Sequence, residues 1–358
     1  MKTGIVGLPQ VGKTTIFQVL TRASHELIAE RSRRAQPNVG VVRVPDARVD
    51  FLASIFEPAK ITYATIEFVD VVGLIQGHGK DLALDPVRDV DAMVHVVRAF
   101  DDGIPHPQGS IDPERDIRDF DTELILNDLG SVEKRLERIA RDRKKSKDPE
   151  LEREHELLLK IREWLESERP LREMELSEEE SKRSRGFAFL SQKPMIYAIN
   201  VGEDQIGAGA AELGASTKQQ SNAPNTARVY ISGKLEAEMA QLTDEDLKVF
   251  LADYGLEESG MIRLIRSAYE LLGLISFLTA GEEECRAWTI RKGTTAQKAA
   301  GAIHTDLEKH FIRAEVSSFE DFSEHPSFAA LREHGLLRLE GKDYVVRDGD
   351  IITVRHSG

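Results

Sequence analysis

Residues 3 to 15 read "TGIVGLPQVGKTT", a short apolar run followed by a glycine-rich loop and a lysine. Gly7, Gly12, Lys13 and Thr14 match the pattern G-x-x-x-x-G-K-[ST], and the helical segment "KTTIFQVLTRA" follows. Glycines let backbone N–H groups converge on phosphate oxygens, while the lysine reaches the terminal phosphates and the threonine hydroxyl ligates magnesium. The stretch therefore predicts a phosphate-binding loop between a strand and a helix.

The predicted phosphate site is continuous in sequence. We expect it to comprise Pro9, Gln10, Val11, Gly12, Lys13, Thr14 and Thr15.

Further strand-like runs follow at helix-sized intervals, namely "VGVVRV", "IEFVDVVG", "AMVHVVRAF", "PMIYAIN" and "ARVYIS". Short β-branched runs separated in this way indicate a parallel sheet covered by helices on both faces. The predicted fold class is therefore α/β, a doubly wound P-loop NTPase domain.

Residues from Leu126 to about Gly186 are different, because they are polar with apolar residues recurring every three or four positions. The two stripes are Leu126, Leu129, Val132, Leu136 and Ile139, then Leu151, Leu158, Ile161 and Leu165. They predict two long antiparallel helices, a coiled-coil hairpin inserted into the α/β domain. Its turn, "RDRKKSKDPE", is interpreted either as a solvated tip or as a small phosphate-seeking patch.

The last 80 or so residues form a separate module in this reading. Strand signals at "RAWTI" and "IITVRH" flank one helix around "TAQKAAGAIHTDLEKHF", which is typical of a small α+β domain.

Composition limits the partners of the chain. The 358 residues carry a formal net charge of −14, so a broad, charge-driven grip on DNA or RNA is not expected and any rRNA contact should be local. No signal-like segment opens the chain, and no apolar run approaches the roughly 18 residues of a membrane span. We therefore expect a cytoplasmic protein without a membrane partner.

Further site residues are expected at the carboxyl ends of two predicted strands. Asp70 ends "IEFVD" and is expected to hold magnesium with Thr14, usually through water, while the N–H of Gly73 approaches the γ-phosphate.

The residues at the end of the second strand are predicted to bind the nucleotide base. Guanine-specific proteins place N-K-x-D there, and the aspartate accepts the N1–H and N2 amino hydrogens of guanine. This chain has Asn200, Val201 and Glu203 at that motif, followed later by Ser232 and Gly233 in "ISGK". Adenine offers an acceptor at N1 and has no N2 amino group, so the altered motif indicates a loosened guanine site.

Together these strings resemble the YchF or Obg-like ATPases, a branch of the Obg-related P-loop NTPases. The resemblance extends through "PNVGVVRVPDARVDFLA", "EFVDVVGLIQG", "HVVRAFDD" and "NVGED" to "AGEEECRAWTIRKGTTAQKAAGAIHTDLEKHFIRAEV" and "EGKDYVVRDGDIITVRH". It implies a G domain in two parts (1–126 and 188–276), the helical coiled-coil insertion (127–187) and a C-terminal, ubiquitin-like TGS domain (277–358). It also implies ATP as the preferred nucleotide, magnesium as cofactor and the ribosome as partner.

The resemblance implies a catalytic residue as well. Leu74 stands where many GTPases orient water with glutamine, and the family places a histidine in the loop that here contains His106. The alternative is that His106 is only a loop residue.

The chain also departs from the family pattern. Gln10 replaces an asparagine associated with potassium binding, no threonine lies between Arg31 and Pro37, and the glycine-rich run after "GLIQG" is reduced to "HGKDLALDP".

Three functions follow from this reading. The first is a magnesium-dependent NTPase that prefers and slowly hydrolyses ATP and regulates translation or a stress response at the ribosome. The alternatives are a nucleotide-gated ribosome adaptor with incidental hydrolysis and a GTP-specific Obg-type GTPase.

Overall fold

A computed structural model describes residues 1–22, 38–71, 87–144, 148–206 and 223–357. Its strands are β1 (Lys2–Val6), β2 (Asn38–Arg43), β3 (Lys60–Thr62), β4 (Thr65–Asp70), β5 (Ala92–Arg98), β6 (Met195–Asn200), β7 (Thr226–Ile231), β8 (Leu274–Thr279), β9 (Glu284–Arg291), β10 (Phe311–Ser317), β11 (Arg338–Glu340) and β12 (Ile351–His356). Its α-helices are α1 (Lys13–Thr21), α2 (Ala47–Phe56), α3 (Pro113–Asp142), α4 (Pro149–Glu166), α5 (Glu178–Ser184), α6 (Gly233–Met239), α7 (Asp244–Asp253), α8 (Gly260–Leu271), α9 (Ala296–Ile303), α10 (Thr305–Lys309), α11 (Phe319–Glu324) and α12 (Phe328–Glu333).

The first sheet has the strand order β2-β4-β1-β5-β6-β7. β1 pairs in parallel with β4 and β5, and β6 pairs in parallel with β5 and β7. Every residue of β5 and β6 is buried, as expected for central strands covered on both faces. The predicted doubly wound α/β class is confirmed. Because the strands are parallel, the carboxyl ends of β1, β4, β5, β6 and β7 lie at one edge of the sheet, where the site residues follow.

The predicted helical hairpin is formed by α3 and α4. Asp112 and Asp148 begin these helices by accepting backbone N–H groups, and a proline follows each cap. Buried apolar residues of the two helices form one core, which includes Val132, Ile139, Leu158, Ile161 and Leu165. Arg135 and Glu154 join the helices through a bidentate ion pair with N···O distances of 2.6 and 2.8 Å.

The structure corrects two details of the helix predictions. Leu126 is 55% exposed, and the buried stripe passes through Ile125 instead, because Ile125 continues the alternating four- and three-residue spacing of Leu129, Val132, Leu136 and Ile139. The single helix expected around "TAQKAAGAIHTDLEKHF" is two helices, α9 and α10. The break is at His304, whose backbone is extended and whose Nδ1 accepts the N–H of Asp306.

The chain divides into two compact units, residues 1–40 with 67–264 and residues 41–66 with 265–358. The second unit contains the sheet β11-β10-β12-β8-β9-β3. In it β8 and β9 are antiparallel, β12 runs parallel to β8, and α9 packs its alanines on Phe277, Ile290 and Ile352. The domain boundaries expected from the sequence stay a prediction.

Residues 41–66 complete the second unit in a way that the sequence did not reveal. β3 adds a parallel strand beside β9, and α2 packs against β9. Arg48 on α2 pairs with Asp348 at 2.7 Å, and the ring of Phe56 lies 5.8 Å from those of Phe322 and Phe328. The segment is therefore part of the core of this unit.

No helix in the described ranges is long and apolar enough to cross a membrane.

Leu52 tests the contribution of α2 to this unit. Its side chain is completely buried, so Leu52→Ala should lower the free energy of unfolding of the second unit by about 2–5 kcal/mol. Ile55→Ala on the same helix is the matched control, because Ile55 is 40% exposed and should cost less than about 1 kcal/mol. Chemical denaturation followed by amide protection of β9 measures both; equal effects would contradict the role given to α2.

Candidate functional site

The side-chain amide of Asn200 joins two loops at the carboxyl edge of the first sheet. Its Nδ2 donates to the carbonyl of Val11 at 2.9 Å, and its Oδ1 accepts the N–H of Gly233 at 2.9 Å. Asn200 is 4% exposed, so both bonds lie away from solvent. The predicted phosphate loop and the predicted base loop are thus held together by one buried side chain.

Two glycines of the phosphate loop are required by its backbone. Gly7 has φ 144°, and a Cβ there would lie 2.4 Å from the carbonyl oxygen of Val96. Gly12 has φ 95°, and a Cβ there would lie 2.3 Å from Nδ2 of Asn200. No other residue type fits either position, because a side chain would displace β5 or break the Asn200 bridge.

The ammonium group of Lys13 folds back over the phosphate loop. Its Nζ donates to the carbonyls of Gly7 and Leu8 at 2.9 and 2.6 Å. Burial lowers the pKa of Lys13 to about 8, and the nearby Asp70 opposes this shift. Lys13 therefore carries a positive charge that its surroundings only partly stabilise.

Asp70 is the last residue of β4, and burial shifts its pKa in the direction opposite to that of Lys13. Burial raises its pKa, while a hydrogen bond from Asn38 and the charge of Lys13 lower it. Nδ2 of Asn38 is 3.3 Å from the Asp70 carboxylate, and Oδ1 of Asn38 is buried without a hydrogen-bond partner. An unpaired buried oxygen beside a carboxylate suits a hard cation.

Three oxygen-bearing groups are of the kind that binds magnesium. They are the Asp70 carboxylate, the Asn38 amide oxygen and the hydroxyl of Thr14, which is exposed in the first turn of α1. No group of three or more His, Cys, Asp or Glu side chains that could hold a metal occurs in the described part of the chain. In P-loop sites, few protein ligands and the substrate phosphates hold magnesium together.

Glu203, which is predicted to contact the nucleotide base, has a carboxylate that is bound by other side chains. Oε2 of Glu203 is 2.8 Å from Nζ of Lys234, and its Oε1 accepts the hydroxyl of Tyr254 at 2.9 Å. The hydrogen bond from Lys234 lowers the pKa of Glu203. Both oxygens of this carboxylate are therefore paired within the protein.

Val201 and Ser232 directly follow β6 and β7, and both are buried. Val201 is 3% exposed, and its N–H donates to the carbonyl of Ile231 at 2.8 Å. Ser232 is 2% exposed and immediately precedes α6. A Cβ at Gly233 would lie 3.7 Å from Cγ2 of Thr15, which places the loop beside the first turn of α1.

Burial separates the predicted site residues into three groups. Pro9, Gln10 and Thr14 are exposed; Gly12, Lys13, Thr15 and Glu203 are half-buried; Val11, Asp70, His106, Asn200, Val201, Ser232 and Gly233 are buried.

His106 is turned into the interior of its own loop. Its Nδ1 accepts the N–H of Gln108 at 3.2 Å, and its Nε2 lies 3.1 Å from Oδ2 of Asp116, outside hydrogen-bond geometry. Both side chains are at most 2% exposed. Arg98 anchors the loop by donating to the carbonyls of Phe100 and Ile104. In this arrangement the imidazole touches protein groups and not solvent.

Some predicted features fall outside the described residues. These are Gly73, Leu74, the segment from Arg31 to Pro37, and Lys145 and Lys147 of the hairpin turn. The expectation that Gln10, in place of asparagine, disfavours potassium binding stays a prediction.

Sequence reasoning missed Asn38 and Tyr254. Asn38 carried a weak signal, since it immediately precedes the predicted strand "VGVVRV". Tyr254 carried none, because it lies 51 residues from Glu203 and meets it only through the packing of α7.

Two known families match parts of the chain. Residues 2–133 match the family described as 50S ribosome-binding GTPase, and residues 274–357 match YchF-GTPase_C, described as a protein of unknown function.

Whole-length relatives were also found. The Bacillus subtilis protein named ribosome-binding ATPase YchF is 41% identical over 99% of both chains. Human Obg-like ATPase 1 is 37% identical over 98% of this chain and 91% of its own. The solved structure of the Schizosaccharomyces pombe YchF GTPase has a TM-score of 0.84 and 32% identity, and covers 99% of this chain and 97% of its own. The similarity thus spans both compact units.

The pKa of Lys13 predicts how affinity for a nucleoside triphosphate depends on pH. Phosphate favours the ammonium form, so above pH 8 binding must first protonate the amine. Affinity should fall between pH 7 and 9, by at most about tenfold per pH unit, while the phosphates stay ionised.

Calorimetric titration with a non-hydrolysable analogue at pH 7, 8 and 9 measures this dependence. Lys13→Ala should bind more weakly and lose the slope. The same slope in Lys13→Ala would show that another group is responsible.

Proposed function

Because the chain belongs to the YchF family of Obg-like ATPases, we propose that it binds ATP, hydrolyses it slowly with magnesium, and acts in association with the ribosome. The observation that carries this proposal is the Asn200 bridge, which assembles the phosphate loop and the N-x-x-E loop into one site. Relatives of nearly the same length are named ribosome-binding ATPases.

The phosphate end of the site would bind by charge and backbone hydrogen bonding. The first turn of α1 presents N–H groups, and Lys13 would exchange its two carbonyl partners for phosphate oxygens. This exchange is favourable because the buried ammonium gains an anionic partner. Magnesium, when bound, neutralises the phosphate charge that develops during hydrolysis. Asp70, Asn38 and Thr14 would hold it from the protein side.

The base end of the site supports adenine over guanine. The carboxylate that would accept the N1–H and N2 amino group of guanine is Glu203, and both of its oxygens are already paired. The N–H of Gly233 is also engaged, by Asn200. The donors of guanine would have to compete there with Lys234 and Tyr254 for the carboxylate, whereas adenine lacks the N2 amino group and presents an acceptor at N1.

Ribosome association would rest on local contacts, since the chain is acidic overall with a net charge of −14. The hairpin tip is one candidate. Within its described part, Arg143 is already held by Glu152 at 2.8 Å and contacts His155, so its charge is partly neutralised. A contribution from this tip would show as salt-dependent binding.

Titration with ATP and GTP analogues tests the nucleotide assignment. ATP should bind about tenfold or more tightly than GTP, because unpaired guanine donors cost about 1–3 kcal/mol. Lys13→Ala should weaken both nucleotides. Lys160→Ala is the control, since Lys160 is a surface lysine of the hairpin paired with Glu180. Tighter binding of GTP by the unmodified protein would overturn the assignment.

The buried position of His106 favours a second candidate, a nucleotide-gated ribosome adaptor in which hydrolysis is incidental. His106 contacts Asp116 and the backbone of Gln108, and its side chain is 1% exposed, so His106 is not presented to an attacking water. Under this candidate, ATP binding changes ribosome affinity without turnover.

Co-sedimentation with ribosomes distinguishes the two candidates. If hydrolysis drives function, His106→Ala should slow ATP turnover about a hundredfold or more. In the presence of ATP the variant should then stay in one state, either bound to ribosomes or free. If the protein is an adaptor, His106→Ala should behave as the unmodified protein does, while Lys13→Ala loses the effect of ATP. Melting temperatures of both variants control for unfolding, because His106 is buried.

A further inference from the structure

Three side chains from separate elements converge beside the base loop. Glu203 follows β6 in a short 3-10 turn, Lys234 lies in the first turn of α6, and Tyr254 ends α7. Lys234 and Tyr254 each bind a different oxygen of the Glu203 carboxylate, at 2.8 and 2.9 Å. We call this set the Glu203 clamp.

The clamp fixes a side chain that would otherwise be free to move. Glu203 and Lys234 are 41% and 70% exposed, so a glutamate without partners would sample several rotamers. Two partners approaching from different helices select one of them. The ring of Tyr254 is itself held against Phe250, with centroids 4.9 Å apart.

In the clamp, the donors to the Glu203 carboxylate come from the protein and not from a guanine base. A carboxylate recognises guanine by accepting two hydrogens on one edge of the base. Each oxygen can accept more than one hydrogen bond, so Lys234 and Tyr254 compete with guanine for the carboxylate and do not saturate it. In the clamp one oxygen accepts from an ammonium and the other from a phenol. The charge of Lys234 lowers the pKa of Glu203, so the carboxylate stays ionised and prefers this partner.

We propose that Lys234 and Tyr254 are specificity-determining residues, which disfavour guanine by competing with it for both oxygens of Glu203. The proposal rests on the proposed function, because it explains how that same site selects its base. It assigns selectivity to the partners of the motif glutamate and not only to the motif itself.

Releasing the clamp should convert Glu203 into a guanine acceptor. Lys234→Met keeps the apolar stem and Tyr254→Phe keeps the ring, so the double variant removes only the two donors. We expect GTP to bind about tenfold more tightly than it does to the unmodified protein, while ATP affinity changes less than about threefold. Inosine triphosphate, which lacks the N2 amino group, should gain less than GTP.

Two further variants control the experiment. Adding Glu203→Gln to the double variant should abolish the gain for GTP, because the carboxylate is the acceptor. Lys160→Met is the matched surface control, since it breaks a Lys–Glu pair of 2.9 Å between α4 and α5. Fluorescent non-hydrolysable analogues measure all affinities, and melting temperatures confirm that each variant is folded.

The outcomes separate this proposal from the proposed function. If the unmodified protein prefers GTP, the ATP assignment fails before any variant is made. If it prefers ATP but the double variant shows an unchanged GTP-to-ATP affinity ratio, the clamp proposal alone is wrong. A gain for GTP that persists after Glu203→Gln would also overturn it, because the extra affinity would then come from a loosened loop.

Discussion

One amide side chain connects the two loops of the proposed nucleotide site. Asn200 donates to the phosphate loop and accepts from the base loop, and it is 4% exposed. Backbone groups buried without partners are costly, so each loop depends on this bridge for its position. The requirement extends to Gly12, since any Cβ there would occupy the space of the amide nitrogen. Loop sequence and strand sequence, about 190 residues apart, are thus constrained by the same hydrogen bonds.

Buried charge gives a physical reason for the proposed binding of phosphate at Lys13 and Asp70. Burial opposes the charged forms of both Lys13 and Asp70, and each partly offsets the cost for the other. Such a pair is more stable with additional counter-charges, which a phosphate and a divalent cation supply together. The same reasoning gives a role to Asn38, whose unpaired oxygen lies beside this pair.

The sequence predicted what depends on local pattern. The strands of the first sheet, the hairpin, and the placement of the phosphate loop before α1 follow from periodicity and from glycine spacing, and all are found. It did not predict what depends on packing at long range. Residues 41–66 leave the first unit between β2 and β4 and complete the second, and nothing in their composition indicates this partner. Leu126 and Ile125 are both apolar, and the packing of α3 against α4 buries Ile125, which continues the spacing of Leu129 and Val132.

Selectivity and assembly are assigned to side chains in different environments. Replacing Asn200 would leave the N–H of Gly233 and the carbonyl of Val11 buried without partners, so this position can change only at the expense of the whole site. The Glu203 clamp lies near the surface, where its members exchange one polar partner for water with little effect on folding. Base preference can therefore differ between proteins that share the Asn200 bridge. A carboxylate at the motif position does not by itself identify the base; the donors that surround it must be known as well.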